Sequence, residues 1–266
     1  MLGLESIMNE KESTEIEQIE NLCGRAYREF CEATDFIWKS PNLIKHETAV
    51  ELKKLKAYFP DNPEAQKERW DYQSTKLNNT FPYMIAIGNL FTVLSLFESY
   101  LLSLAIKLQS PTGRSISDEK GQGISRLFSY LKALGLMPSN ISLYQQVQAA
   151  IMVRNCFTHA SGILSWSRDE SKLRKLLESG HYLSPEHRKK RIKSNRPFDE
   201  LSITTSALGD RIAASNEYAW IISNYIRDYF SMLCGNIVEF MQEKITISRA
   251  QQKASQGFGP KSDPHP

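Results

Sequence analysis

Val147-Gln148-Ala149-Ala150-Ile151-Met152-Val153-Arg154-Asn155-Cys156-Phe157-Thr158-His159-Ala160-Ser161-Gly162-Ile163-Leu164 is an apolar run interrupted by a tight polar group. On a helix turning about 100° per residue, Ala150, Val153, Phe157, Ala160 and Leu164 share one face, which is the expected core face. Asn155, Thr158, Ile151 and Gly162 lie on the other side. Arg154 and His159 flank them, roughly 140° apart. Ile151 and Gly162 make that second face unlike an ordinary solvated one, and a second packing partner is expected there. Cys156 faces away from Asn155 and reads as small filler.

The same helical rhythm extends along the chain. Ile16, Ile19, Leu22, Cys23, Tyr27, Phe30 and Cys31 predict a helix over 12–38, ended before Pro41. Further helices are expected over 46–58 and 64–76, with Asn78-Asn79-Thr80 as the start of a long apolar helix reaching Leu108. Shorter ones follow over 124–134, 142–164 and 168–177. Ala219, Ile222, Ile226, Tyr229, Phe230, Leu233, Ile237 and Phe240 form a wide stripe within 214–244. Residues 181–212 break the pattern and read as a small irregular or hairpin insertion. The sum is an all-α bundle: an N-terminal helical extension over 1–60, a bundle over 61–246 and a disordered polar tail over 247–266.

The stretch Met84 to Ile106 is long enough to span a membrane, with Glu98 its only charge. It also carries Asn89, Thr92, Ser95, Ser99 and Ser103, and a carboxylate at bilayer depth is costly. A central helix of a soluble bundle is the favoured reading, with no membrane partner. The 266 residues are 41% hydrophobic and 24% charged, enough for a sizeable core. The net charge of +3 does not by itself imply nucleic acid. Cys23, Cys31, Cys156 and Cys234 show no CxxC spacing, so neither a zinc site nor a redox motif is expected. A reducing compartment fits, and the absence of a basic start with an apolar stretch argues against a signal peptide. A cytoplasmic location is expected.

Chemically, arginine offers a fixed fork of donors to phosphate, and histidine transfers protons near neutral pH. Asparagine holds either group with both donors and an acceptor. RNA carries its own nucleophile, the 2′-hydroxyl, so no metal or other cofactor is required. The structural alternative is an Arg154–Glu98 pair with His159 hydrogen-bonded at an interface. The run Arg188, Lys189, Lys190, Arg191, Lys193 and Arg196 either grips an RNA backbone or forms a charge-rich solvated loop. Gly121-Gln122-Gly123 lacks the setting of a nucleotide fingerprint. His46, His181, His187 and His265 carry no site signal, and Trp166 and Trp220 read as packing residues.

Arg154-Asn155-Cys156-Phe157-Thr158-His159 resembles the Arg-x4-His motif of HEPN domains, in the form where asparagine follows arginine. Glu98, in Leu96-Phe97-Glu98-Ser99-Tyr100, resembles the acidic residue of an earlier apolar helix in that family. The resemblance spans about 82–244. It implies an HEPN-like bundle and a metal-independent endoribonuclease that leaves a 2′,3′-cyclic phosphate, acting as a toxin or anti-phage defence effector. It further implies a homodimer whose motifs share one cleft, with a possible cognate antitoxin or defence partner. Carried over, Arg154 stabilises the scissile phosphate and His159 is the general acid or base. Asn155 positions RNA or His159, Glu98 orients Arg154, and Thr158 has a weaker part in RNA binding. The alternative within the family is a catalytically inactive nucleotide-binding or protein-interaction scaffold.

Overall fold

The computed structural model describes residues 2–256, with side chains described at 14–247 and at Ala250. It is an all-helical bundle carrying one β-hairpin. In chain order the long elements are α1 (Leu2–Lys39), α2 (Pro41–Tyr58), α3 (Pro63–Thr75) and α4 (Phe81–Thr112). Then come α5 (Gly123–Ala133), α6 (Tyr144–Ala160), α7 (Glu170–Ser179) and α8 (Pro185–Lys193). The hairpin β1 (Leu201–Ser206) and β2 (Gly209–Ala214) precedes α9 (Asn216–Gln256). The strands are antiparallel, with Leu201 opposite Ala214 and Ser206 opposite Gly209.

The chain forms two compact units, and α1, α4 and α9 contribute to both. The first contains the chain up to Arg25, Tyr100–Pro138 and the chain from Ser231. Its core is built from Ile19 and Leu22, Leu101, Leu104 and Leu108, Leu127, Tyr130 and Leu131, and Leu233 and Ile237. These are the periodic apolar positions of α1, α4, α5 and α9, so burial follows the 3.6-residue repeat. Cys23 of α1 and Cys234 of α9 form a disulfide, with Cα atoms 6.1 Å apart. Sequence spacing gave no hint of this pairing.

The second unit contains Ala26–Ser99 and Ser139–Phe230. Phe97 of α4 meets Phe230 of α9 edge-on at 6.1 Å, and Phe30 of α1 lies 5.6 Å from Phe230. Leu90, Val93, Val147, Ala150, Val153, Ile222 and Ile226 are buried in the same unit. A buried polar junction crosses this core. Asn89 donates to Ser40 Oγ at 3.1 Å and to Asn216 Oδ1 at 2.8 Å, and Asn216 donates to Ile37 O at 2.8 Å. The junction ties the α1–α2 break to α4 and to the start of α9. Asn89 therefore has its hydrogen bonds met inside protein, as a buried amide requires. The helical stretch Pro63–Thr112 is long and apolar enough to cross a membrane by length and composition. Leu90, Val93, Leu94, Phe97, Leu101, Leu104 and Leu108 on it are buried in the protein.

Several local expectations need correction. No break separates α3 from α4 at Asn78-Asn79-Thr80; a π-helical turn over Lys76–Thr80 joins them. Pro82 lacks an N–H and its ring crowds the carbonyl four residues back, and the wider π turn accommodates both. The insertion is more regular than its scattered apolar residues suggest, since α8 precedes the hairpin. Its start has clear cause: Ser184 Oγ accepts from His187 N at 3.3 Å, and Pro185 occupies the first helical position. At the carboxyl end, α9 continues to Gln256 where a disordered tail was expected. Residues 257–266, including His265, lie outside the described residues.

Candidate functional site

The polar group sits on the last two turns of α6. Val147, Ala150, Val153, Phe157 and Ala160 are buried, as the helical wheel requires. Ile151 and Cys156 are buried too. Asn155, Thr158 and His159 are exposed, and Arg154 is half-buried. α6 stops at Ser161 and Gly162, both left-handed, with φ of 52° and 79°. Gly162 N donates to Cys156 O at 3.1 Å, closing the helix end.

Arg154 Nη2 donates to Glu98 Oε2 at 3.4 Å, joining α6 to α4. The side chains are 24% and 33% exposed, so the pair is neither sealed nor fully solvated. Arg154 Nε is buried without a hydrogen-bond partner. Thr158 Oγ1 donates back to Arg154 O at 2.9 Å, which commits that hydroxyl to the helix. Glu98, Arg154 and the exposed Asn155 and His159 are thus gathered at one end of α6. His159 lies five positions after Arg154, about 7.5 Å further along the axis and roughly 140° around it. Burial pushes the Cys156 thiol up, keeping it protonated and a poor nucleophile.

The basic run lies on α8 and just beyond it, not on a loop. Lys189, Lys190, Lys193 and Arg196 are exposed and Arg188 is half-buried. The cations crowd the last helical turn, where the negative end of the helix dipole favours them. Arg191 differs from its neighbours. It is only 8% exposed and pairs with Glu200 and with Glu217, the latter at 2.7 Å. Tyr182 donates to the other Glu200 oxygen at 2.9 Å. Arg191 therefore ties Glu200, just before β1, and Glu217 of α9 to α8. The contiguous run in sequence splits into one structural arginine and a solvated basic rim.

Sequence reasoning missed His187 as a half-buried participant. Its Nδ1 hydrogen-bonds to Tyr225 Oη, which also accepts from Ser184 N at 2.9 Å. Burial, aided by Lys190 and Arg191, holds the imidazole below its ordinary pKa. His46 and His181 are exposed. Trp220 packs against Trp38 at 5.1 Å, whereas Trp166 is 57% exposed rather than packed. Sequence reasoning also missed a cleft of about 480 Å³ between the π turn and the hairpin, lined by Asn78, Asn79, Tyr83 and Arg211 among others. Only the assembled hairpin brings Arg211 to Tyr83, so no local spacing announces it. Among the described residues, no group of three or more His, Cys, Asp or Glu stands together as a metal site would need. No family profile, curated protein or solved structure matches this chain.

Proposed function

We propose that the chain is a metal-independent endoribonuclease of the HEPN type, acting as a toxin or defence effector in the cytoplasm. The observation that carries this reading is the Arg154–Glu98 contact at 3.4 Å, with Asn155 and His159 exposed beside it. A carboxylate held against a half-buried guanidinium fixes the fork's direction. The fork then needs little reorganisation to meet a phosphate.

In the proposed reaction the RNA 2′-oxygen attacks the adjacent phosphorus and the bond to the 5′-oxygen breaks. One proton leaves the 2′-hydroxyl and one reaches the departing 5′-oxygen, giving a 2′,3′-cyclic phosphate and a 5′-hydroxyl end. His159 performs one of these transfers. Arg154 stabilises the charge on the phosphorane oxygens, Asn155 positions the RNA, and Glu98 acts through Arg154 as a positioning residue. A homodimer supplies a second motif, whose histidine serves the other transfer. Lys189, Lys190, Lys193 and Arg196 extend the contact along the backbone.

Purified protein is expected to cleave a labelled single-stranded RNA in EDTA, leaving cyclic phosphate ends. Arg154→Ala and His159→Ala each lower the rate by roughly a hundredfold or more. Folded variants that cleave at the wild-type rate overturn the assignment. A second reading, a silent scaffold of the same fold, is favoured by one observation: Glu98 already answers the charge of Arg154. It requires wild-type protein that is folded and dimeric yet cuts no RNA under any of these conditions.

A further inference from the structure

Arg211 lies on β2 and reaches over Tyr83 of α4, its Cζ 4.7 Å from the ring centroid. Its backbone is fixed: Ile212 N donates to Gly162 O at 2.9 Å, and Ile163 bridges Arg211 just beyond α6. Tyr83 in turn packs edge-on against Phe157 at 6.4 Å. The guanidinium has no ion pair among the described residues, because the adjacent Asp210 is engaged by Arg174 at 2.9 Å. Arg211 Nε and Tyr83 Oη are both shut off from solvent. Burial pushes the Tyr83 hydroxyl up, and the charge and donor of the adjacent Arg211 act against that shift. What Arg211 offers to the open cleft that it lines is the outer end of its unpaired guanidinium fork.

The rest of the cleft tells what a ligand there carries. Asn78 and Asn79 enter from the π turn, a distortion that recurs at functional sites. Ser202 and Thr204 line it from β1, and Asp199 stands at its edge. Thr204 Oγ1 donates to Arg211 O at 3.4 Å, which leaves the guanidinium fork and the Ser202 hydroxyl as donors, a set that suits the three free oxygens of a phosphoryl group. A cleft of about 480 Å³ is also far larger than a phosphate ion, so the phosphoryl group arrives on a carrier. Asp199, an acceptor only, favours a carrier that presents donors, as the hydroxyls of a sugar do.

We propose that this cleft binds a small phosphomonoester, its phosphoryl group held by Arg211 and its hydroxylated carrier by Asn78, Asn79 and Asp199. The cleft shares no lining residue with Glu98, Arg154, Asn155 or His159, and the proposal does not depend on RNA cleavage. Calorimetric titration of the full chain with ribose 5-phosphate, a nucleoside monophosphate, inorganic phosphate and ribose tests it. At least one ester binds, inorganic phosphate binds about tenfold more weakly, and ribose does not bind. The two esters distinguish a sugar-phosphate from a nucleotide carrier. Arg211→Gln weakens ester binding by about tenfold or more. The exposed pair Asn78→Ala with Asn79→Ala weakens the ester but leaves inorganic phosphate unchanged, and it decides the matter if Arg211→Gln does not fold. Arg154→Ala retains ester binding whatever the outcome for RNA cleavage. Absence of ester binding at roughly 10 mM overturns the proposal, as does wild-type affinity in either cleft variant.

Discussion

His187 illustrates how one residue carries a pH dependence into the fold. Its ring bonds to Tyr225 Oη and is half-buried beside Lys190 and Arg191, so the charged form is disfavoured first by desolvation and then by those cations. Glu200 and Glu186 act the other way without reversing the shift. A histidine whose folded pKa lies below its unfolded value binds fewer protons folded than unfolded. Stability is then full above the unfolded pKa, about 6.5, and falls as pH drops from there toward the folded value. The melting temperature is expected to decline between about pH 7 and pH 5, and His187→Gln to flatten part of that decline. Equal pH slopes in the two proteins would exclude this role. Glu200 supplies a sharper test of the same cluster. It is 1% exposed and serves Tyr182 and Arg191 together. Glu200→Ala leaves the buried Arg191 with only the half-exposed Glu217, a loss of roughly 3 kcal/mol in a denaturant titration.

At the scale of elements, the turn after α6 matters most to the candidate site. Gly162 has φ of 79°, and a Cβ there would lie 2.9 Å from Phe157 Cε1. Phe157 is buried, Tyr83 packs on it, and Gly162 O anchors the hairpin. Gly162→Ala is therefore expected to destabilise by about 1–3 kcal/mol and lower the melting temperature. It should also weaken ester binding at Arg211, because the hairpin loses its anchor. The helices themselves were legible because apolar residues recur at three and four, and this periodicity alone places Val153, Phe157 and Phe230 in the core. Their ends were less so: the π turn before Pro82 is a compromise between a continuing helix and a proline, and no residue pattern distinguishes it from a stop. The Arg154–Glu98 pairing was open to inspection because both residues interrupt apolar runs. Arg211 and Tyr83 meet only through strand pairing, and Arg191 turns inward because Glu200 follows the helix. Neither relation leaves a local trace.

For the whole molecule, the Cys23–Cys234 bond is the feature with the widest reach. Sequence spacing and the absence of a paired-cysteine motif pointed to free thiols and a reducing compartment, yet the folded chain joins two of the four cysteines. The bond spans 211 residues, and the loop it closes contains the whole of the second unit. Restricting so long a loop lowers the entropy of the unfolded chain, and the loop-closure relation gives at most about 5 kcal/mol. Cys31 and Cys156 remain free, with Cys156 buried. Oxidised protein, unfolded without reductant, should therefore take up two alkyl groups, and reduced protein four. Reduction, or Cys23→Ser, should lower the melting temperature by roughly 10 °C, since each kcal/mol shifts a chain of this size by about 2–4 °C. Four alkylations without reductant, together with a melting temperature indifferent to reduction, would show that α1 and α9 are held by packing alone. Burial of Leu233 and Ile237 on α9 and of Ile19 and Leu22 on α1 would then carry the stability of that unit.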